Sequence, residues 1–189
     1  FSGVGSSSIG IALGSMTTLW RELRAEGVTT KSWTKLKDKT RAEIQSTFIC
    51  DKLFRGADQK NDPALSPVAV ALAGSKGYIS PYVMPTTQDV FDLVNAYISY
   101  YETGAGKAHA DAAKRAKNAR QVRFNIETKL NPRSDKDNHG NVYKDRTVGF
   151  EQMADTLAGV IVANGLQARA DIQSFDFRTL LRVQEKFPA

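Results

Sequence analysis

The sequence predicts an α/β fold built on parallel strands, a part of a barrel rather than a whole one. Two observations predict it. Between Val122 and Glu127, apolar Val122, Phe124 and Ile126 alternate with Arg123, Asn125 and Glu127, which is the period-two pattern of a strand. A polar loop, a helical stretch, a second strand and a closing helix then follow. That alternation is the mark of a parallel α/β unit.

The elements can be justified in chain order. Residues 1–35 receive no domain assignment and read as divergent or disordered sequence. Within them, Phe1 to Gly14 is rich in Gly and Ser, which favours a loop or a mobile end, and Met16 to Ala25 has the makings of a short helix. Residues 36–189 read as one partial barrel domain. Leu36 to Ile49 (LKDKTRAEIQSTFI) is helical in pattern, with Asp38 or Thr40 as its cap. Phe54 to Pro81 is dense in Gly, Pro, Asp and Ser and reads as a long excursion, interrupted by the apolar run Val68 to Ala73. Thr86 and Asp89 have capping-box spacing ahead of Val90, Phe91, Val94 and Ile98. A further helix is expected from Ala108 to Ala119. After the strand, Asn131-Pro132 ends the extended run. Phe150, Met153, Leu157, Val160 and Ile161 recur at helical spacing, with Gly165 as the stop. Ala170 to Phe175 is the second strand, and Asp176 caps a helix from Arg178 to Phe187.

Composition excludes little. The chain has 189 residues, 41% hydrophobic and 24% charged, which is ordinary for a globular domain. It contains no apolar run of the roughly 18 residues that a membrane span needs. It begins with Phe rather than Met, and an incomplete chain or a removed leader would explain that. The net charge is +6 and the pI about 9.4, compatible with an anionic ligand. The basic residues are scattered, without the aromatic interleaving of a nucleic-acid surface, so no nucleic-acid partner is expected. The basic stretch Lys107 to Arg120 reads as the solvated face of a helix. Cys50 is the single cysteine, so no internal disulfide can form.

The chemistry lies on the strands. If Val122, Phe124 and Ile126 face covering helices, then Arg123, Asn125, Glu127 and Lys129 face a lumen. Glu127 and Lys129 fall at the C-terminal end of the strand, where barrel enzymes place their sites. A carboxylate there needs a cation or donors to offset its desolvation. A divalent metal would supply that through oxygen ligation, and Lys129 could hold a phosphate oxygen. A structural Glu–Lys or Glu–Arg pair fits the same pattern equally well. On the second strand Asp171 and Gln173 alternate with Ile172, and Arg123 with Asp171 is expected to be a structural pair. Gln173 reads either as a lumen group near the strand's end or as a buried amide tying strands together.

VRFNIETKLNP (Val122 to Pro132) followed by IQSFDFRTL (Ile172 to Leu180) resembles the glycerophosphodiester phosphodiesterase family. Weaker similarity extends upstream to Leu36–Cys50 and to MPTTQDVFDLV (Met84 to Val94). The resemblance implies a TIM-type barrel that hydrolyses deacylated phospholipids to glycerol 3-phosphate and an alcohol. It implies Glu127 as a metal ligand, with Ca or Mg as the divalent cation, Lys129 as a phosphate contact, and Gln173 with Ser174 lining the pocket. Relatives carrying FNIETK are often exported, so it also implies a periplasmic or secreted setting.

The departures shape the expectation. The family's His-Arg-Gly, Glu-x-Asp and His-Asp motifs do not occur. The two histidines, His109 and His139, stand in other contexts, so no catalytic residue is identifiable. A complete barrel takes about 250 residues, and this chain resembles the middle of one. The expected function is therefore metal-dependent hydrolysis of a small phosphodiester, with this chain a truncated and inactive portion. The alternative is a degenerate, non-catalytic barrel that binds a phosphate-type anion or a protein. An incomplete barrel exposes strand edges, so self-association is expected.

Weaker signals are loop chemistry. Asp135-x-Asp137-x-x-Gly140 has the start of a calcium loop, but Arg146 occupies the twelfth position. Gly104-Ala105-Gly106-Lys107 shares only the end of a P-loop and lacks Ser or Thr after the lysine.

Overall fold

The computed structural model describes residues 8–11, 39–47, 62–138 and 140–188. The helix expected over Met16–Ala25, the flanks of Leu36–Ile49, Cys50 and His139 lie outside them. The chain divides into two compact units. One draws on residues 41–122. The other draws on 8–11, 39–40 and 123–188.

The regular elements described in the first unit are helices. The unit contains α1 (Arg41–Thr47), α2 (Pro67–Ser75), α3 (Thr87–Glu102) and α4 (Ala112–Arg120), with short 3₁₀ turns at Pro63–Leu65 and Ala105–Ala108. Helix α2 corrects the expectation that Val68–Ala73 is a break within a loop. Pro67 sits in its first turn, where a missing N–H costs nothing. The run is apolar on every side, so it carries no helical period to detect. Helix α3 starts where the sequence places it. The Thr86 hydroxyl accepts from the Asp89 N–H, and the Asp89 carboxylate accepts from the Thr86 N–H, completing the capping box. Helices α3 and α4 pack together. Phe91 and Val94 are buried on α3 and the small Ala112 and Ala116 on α4, one turn apart.

The second unit contains β1 (Ser8–Ile11), β2 (Arg123–Thr128), α5 (Phe150–Ala163), β3 (Ala170–Ser174) and α6 (Phe177–Lys186), with 3₁₀ turns at Tyr143–Arg146 and Gln167–Arg169. The sheet order is β1-β2-β3 and both pairings are parallel. The front of the chain was expected to be loop, yet Ser8–Ile11 forms a strand. A four-residue segment gives too short a pattern to separate from its Gly- and Ser-rich surroundings.

Phe124 and Ile126 on β2 are 1% exposed and belong to the core with Ala154, Leu157, Ala158 and Ile161 of α5. Each large side chain buried in this way contributes about 2 kcal/mol. Helix α5 stops as expected. Gly165 takes φ +63°, its N–H bonds to the Val162 carbonyl, and the Leu166 N–H reaches back to Ile161. Asp176 accepts from the Arg178 N–H and caps α6. Asp155 of α5 takes Arg182 and Lys186 of α6, fastening the two helices.

The TIM-type barrel, complete or partial, is not the architecture found. Among the described residues the sheet is small and open, and the chain is rich in helix. Closure requires tilted strands that meet edge to edge around a full circle. The described stretch from Arg41 to Val122, which would have to supply such strands, forms helices instead. The face expected to line a lumen is correspondingly open. The side chains of Arg123 and Asp171 keep 42% and 60% exposure. No helix among the described residues is long and apolar enough to cross a membrane.

Candidate functional site

The C-terminal ends of β2 and β3 form the candidate site. Residues alternate across β2 as expected. Phe124, Ile126 and Thr128 point to the core, while Arg123, Asn125 and Glu127 share the opposite face. The register sets Asn125 beside Asp171, and Glu127 beside Gln173. Arg123 and Asp171 form the expected pair, Nη2 to carboxylate at 3.0 Å. The Asn125 amide donates to Gln173 Oε1 at 3.2 Å, which leaves the Gln173 amino group directed elsewhere. Gln173 therefore ties two strands through one of its atoms while its side chain stays exposed.

The end of the sheet is pinned from its other face. Thr128 is 2% exposed and Thr179 is fully buried, and their hydroxyls lie 3.1 Å apart. Thr179 also donates to the Asp176 carbonyl. Ser174 donates to the Thr128 carbonyl, and its oxygen accepts from the Asp176 N–H. Ser174 is thus spent on the turn that joins β3 to α6. The sequence placed Ser174 by resemblance and did not indicate Thr128 or Thr179. Their link spans 51 residues, and only the outward period of β2 hints that Thr128 faces the helices. The knot fixes the backbone beside Glu127.

Glu127 is 8% exposed. Its Oε2 accepts from the Lys129 ammonium at 2.6 Å. Its Oε1 is buried and has no hydrogen-bond partner among the described residues. A buried carboxylate oxygen left without a donor costs about 1–3 kcal/mol, so the position is expensive unless something occupies it. Lys129 keeps 45% of its side-chain exposure, enough freedom for the ammonium to swing away from Oε2. The structure thus brings together Glu127, Lys129, Asn125 and Gln173 on one face. The pairing of Glu127 with Lys129 occurs within one strand end, not across a lumen.

Glu127 also decides how well a metal fits. A Mg²⁺-type ion keeps several waters and takes one or two carboxylates together with substrate phosphates. The unpartnered Oε1 is one donor of that kind. Among the described residues no group of three or more His, Cys, Asp or Glu could enclose an ion. The chain's own contribution is therefore a single carboxylate, and further ligation would fall to phosphate and water. No described residue of this unit is a histidine. His109 lies in the other unit, exposed, with its Nδ1 accepting from the Asp111 N–H. Asp135 pairs with Arg133, and Asp137 binds the Asn141 backbone N–H, so the calcium-loop-like stretch is a self-bonded turn.

Comparison with protein-family models, with curated proteins and with solved structures found no match.

Proposed function

We propose that the ends of β2 and β3 form the cation- and phosphate-binding part of a phosphodiester-hydrolysing site. The substrate class is the glycerophosphodiesters, as the FNIETK and IQSF motifs imply. The observation that carries the reading is the buried Oε1 of Glu127, unpartnered among the described residues, two residues from the half-exposed Lys129. A divalent cation bound there would supply Lewis-acid polarisation of a phosphoryl oxygen. Glu127 holds that position because β2 cannot shift against the Thr128–Thr179 knot. When phosphate arrives, Lys129 transfers its ammonium from Oε2 to a phosphate oxygen, where it offsets negative charge. Gln173 offers its amino group to a substrate oxygen, with its carbonyl oriented by Asn125.

Proton transfer is the weak link. None of these groups is a histidine, and a general acid or base of suitable reach contributes about 10²–10⁴-fold. Turnover by this chain is therefore expected to be negligible, while cation-dependent binding of the substrate persists. A second reading, a non-catalytic anion site, is favoured because no enclosing metal-donor group occurs among the described residues.

Calorimetric titration with glycerophosphocholine separates the two. Under the hydrolase-type reading, binding requires Mg²⁺ or Ca²⁺, disappears in Glu127→Gln and weakens in Lys129→Ala. Binding that ignores chelator and survives Glu127→Gln would establish the second reading in its place.

A further inference from the structure

The Gly-Ala-Gly-Lys turn and the basic helix behind it are unused by the site on β2. The turn Ala105–Ala108 follows α3 directly, so it does not join a strand to a helix and is no P-loop. Its geometry is nonetheless specific. A Cβ on Gly106 would stand 2.3 Å from the Tyr100 ring and 2.9 Å from that of Tyr101. Only glycine lets the turn press against α3, and the next residue, Lys107, lines a cleft of about 440 Å³. That volume lies in the range of about 300–1,000 Å³ typical of small-molecule sites. Ala112, Ala113 and Ala116 line it with carbon, and Tyr101 adds an aromatic wall.

The charges of the cleft are unbalanced. Lys107, Lys117 and Arg120 line it against a single acid, Glu102. Glu102 is already spent, accepting from Arg120 Nε and Nη2 at 2.6–2.9 Å. That grip orients the guanidinium and leaves Nη1 unspent on Glu102. Lys107 and Lys117 take part in no ion pair among the described residues.

We propose that this cleft binds a small organic phosphate. Lys107 and Lys117 hold the phosphate group, and the organic part lies on the alanine floor beside Tyr101. A phosphate monoester carries about −1.5 to −2 at neutral pH, which matches two free ammonium groups better than one carboxylate does. A nucleic-acid strand fits less well, because the other cations of the helix do not extend the cleft: Lys114 is not among its lining residues. Arg115 is engaged with Tyr101, donating to its hydroxyl at 3.0 Å with the guanidinium over the ring.

The test uses the full chain carrying Lys129→Ala, which removes the phosphate contact on β2, with phenyl phosphate as the probe. Backbone amide resonances of Ala112, Ala113 and Ala116 are expected to shift on titration. Adding Lys107→Ala with Lys117→Ala lowers affinity by about tenfold or more, with helical circular dichroism unchanged. Lys114→Ala, on the same helix but outside the cleft, leaves affinity as it was. The proposal is overturned if the alanine amides do not shift, or if Lys114→Ala weakens binding as much as the double variant. Tighter binding of short single-stranded DNA, dependent on Lys114, would also overturn it.

Discussion

Asp89 in the helical unit and Glu127 in the strand-bearing unit are each 8% exposed, and the protein treats them oppositely. Asp89 accepts from five donors: the Lys76 ammonium, the Tyr78 hydroxyl, the Thr86 N–H and hydroxyl, and the Gln45 amide. Burial opposes its ionisation, but Lys76, Thr86 and Tyr78 outweigh that and hold its carboxyl down to about 2. Among the described residues Glu127 has one partner, Lys129, and an oxygen with none. A carboxylate whose every lone pair is answered by its own chain is a structural part. One that is buried and left half answered is what the proposed cation site requires. This contrast, rather than burial itself, separates the two roles.

The sharpest way to break the comparison is to remove each carboxylate. Asp89→Ala leaves Lys76 facing Asp92 alone and removes the carboxylate half of the capping box on α3, while Thr86 still caps the helix. It should cost about 3 kcal/mol in urea unfolding. A loss under about 1 kcal/mol would place Asp89 with the merely exposed pairs.

Acid sharpens the same point with a smaller effect. The carboxyl of Asp89 is held below its ordinary value. Its stabilising contribution is therefore complete above pH about 4 and is lost as pH falls towards about 2, amounting to about 2 kcal/mol. Unfolding followed by circular dichroism across that window should show the loss in the native chain and a flatter profile in Asp89→Asn. The smallest effect is expected at Arg123. Both it and Asp171 are solvent-facing, so Arg123→Ala should change stability by no more than about 0.5 kcal/mol. A larger loss would mean that the open face of the sheet is more constrained than its exposure indicates.

Local chemistry was legible in the sequence wherever a short segment carried its own signal. The capping box at Thr86 and Asp89, the glycine stop at Gly165, the cap at Asp176 and the alternation along β2 all depend on residues a few positions apart. The pair Arg123–Asp171 was legible because both residues fall on the same face of neighbouring strands; the register sets Asp171 beside Asn125, and the long Arg123 side chain reaches it diagonally. The helix over Pro67–Ser75 was not, since an apolar run without period leaves helix and loop undistinguished. Sheet closure was not legible either. It depends on how many strands meet, which no single strand records. The Glu127–Lys129 face followed from period two, but the orphaned oxygen did not. It arises from which donors fail to reach it, a property of packing. Likewise Gln45 meets Asp89 across 44 residues, and nothing in either neighbourhood announces the contact.

In the proposed function Glu127 Oε1 is a metal ligand rather than a packing flaw. Calorimetric titration of the full chain with Mg²⁺ and Ca²⁺, native against Glu127→Gln, tests it most directly. Saturable binding is expected in the native chain and none in Glu127→Gln, with the variant's stability changed by less than about 1 kcal/mol because a half-satisfied charge has been removed. Equal binding by both chains, or none by the native one together with a large stability loss in Glu127→Gln, would make Glu127 a structural partner of Lys129 and contradict the account.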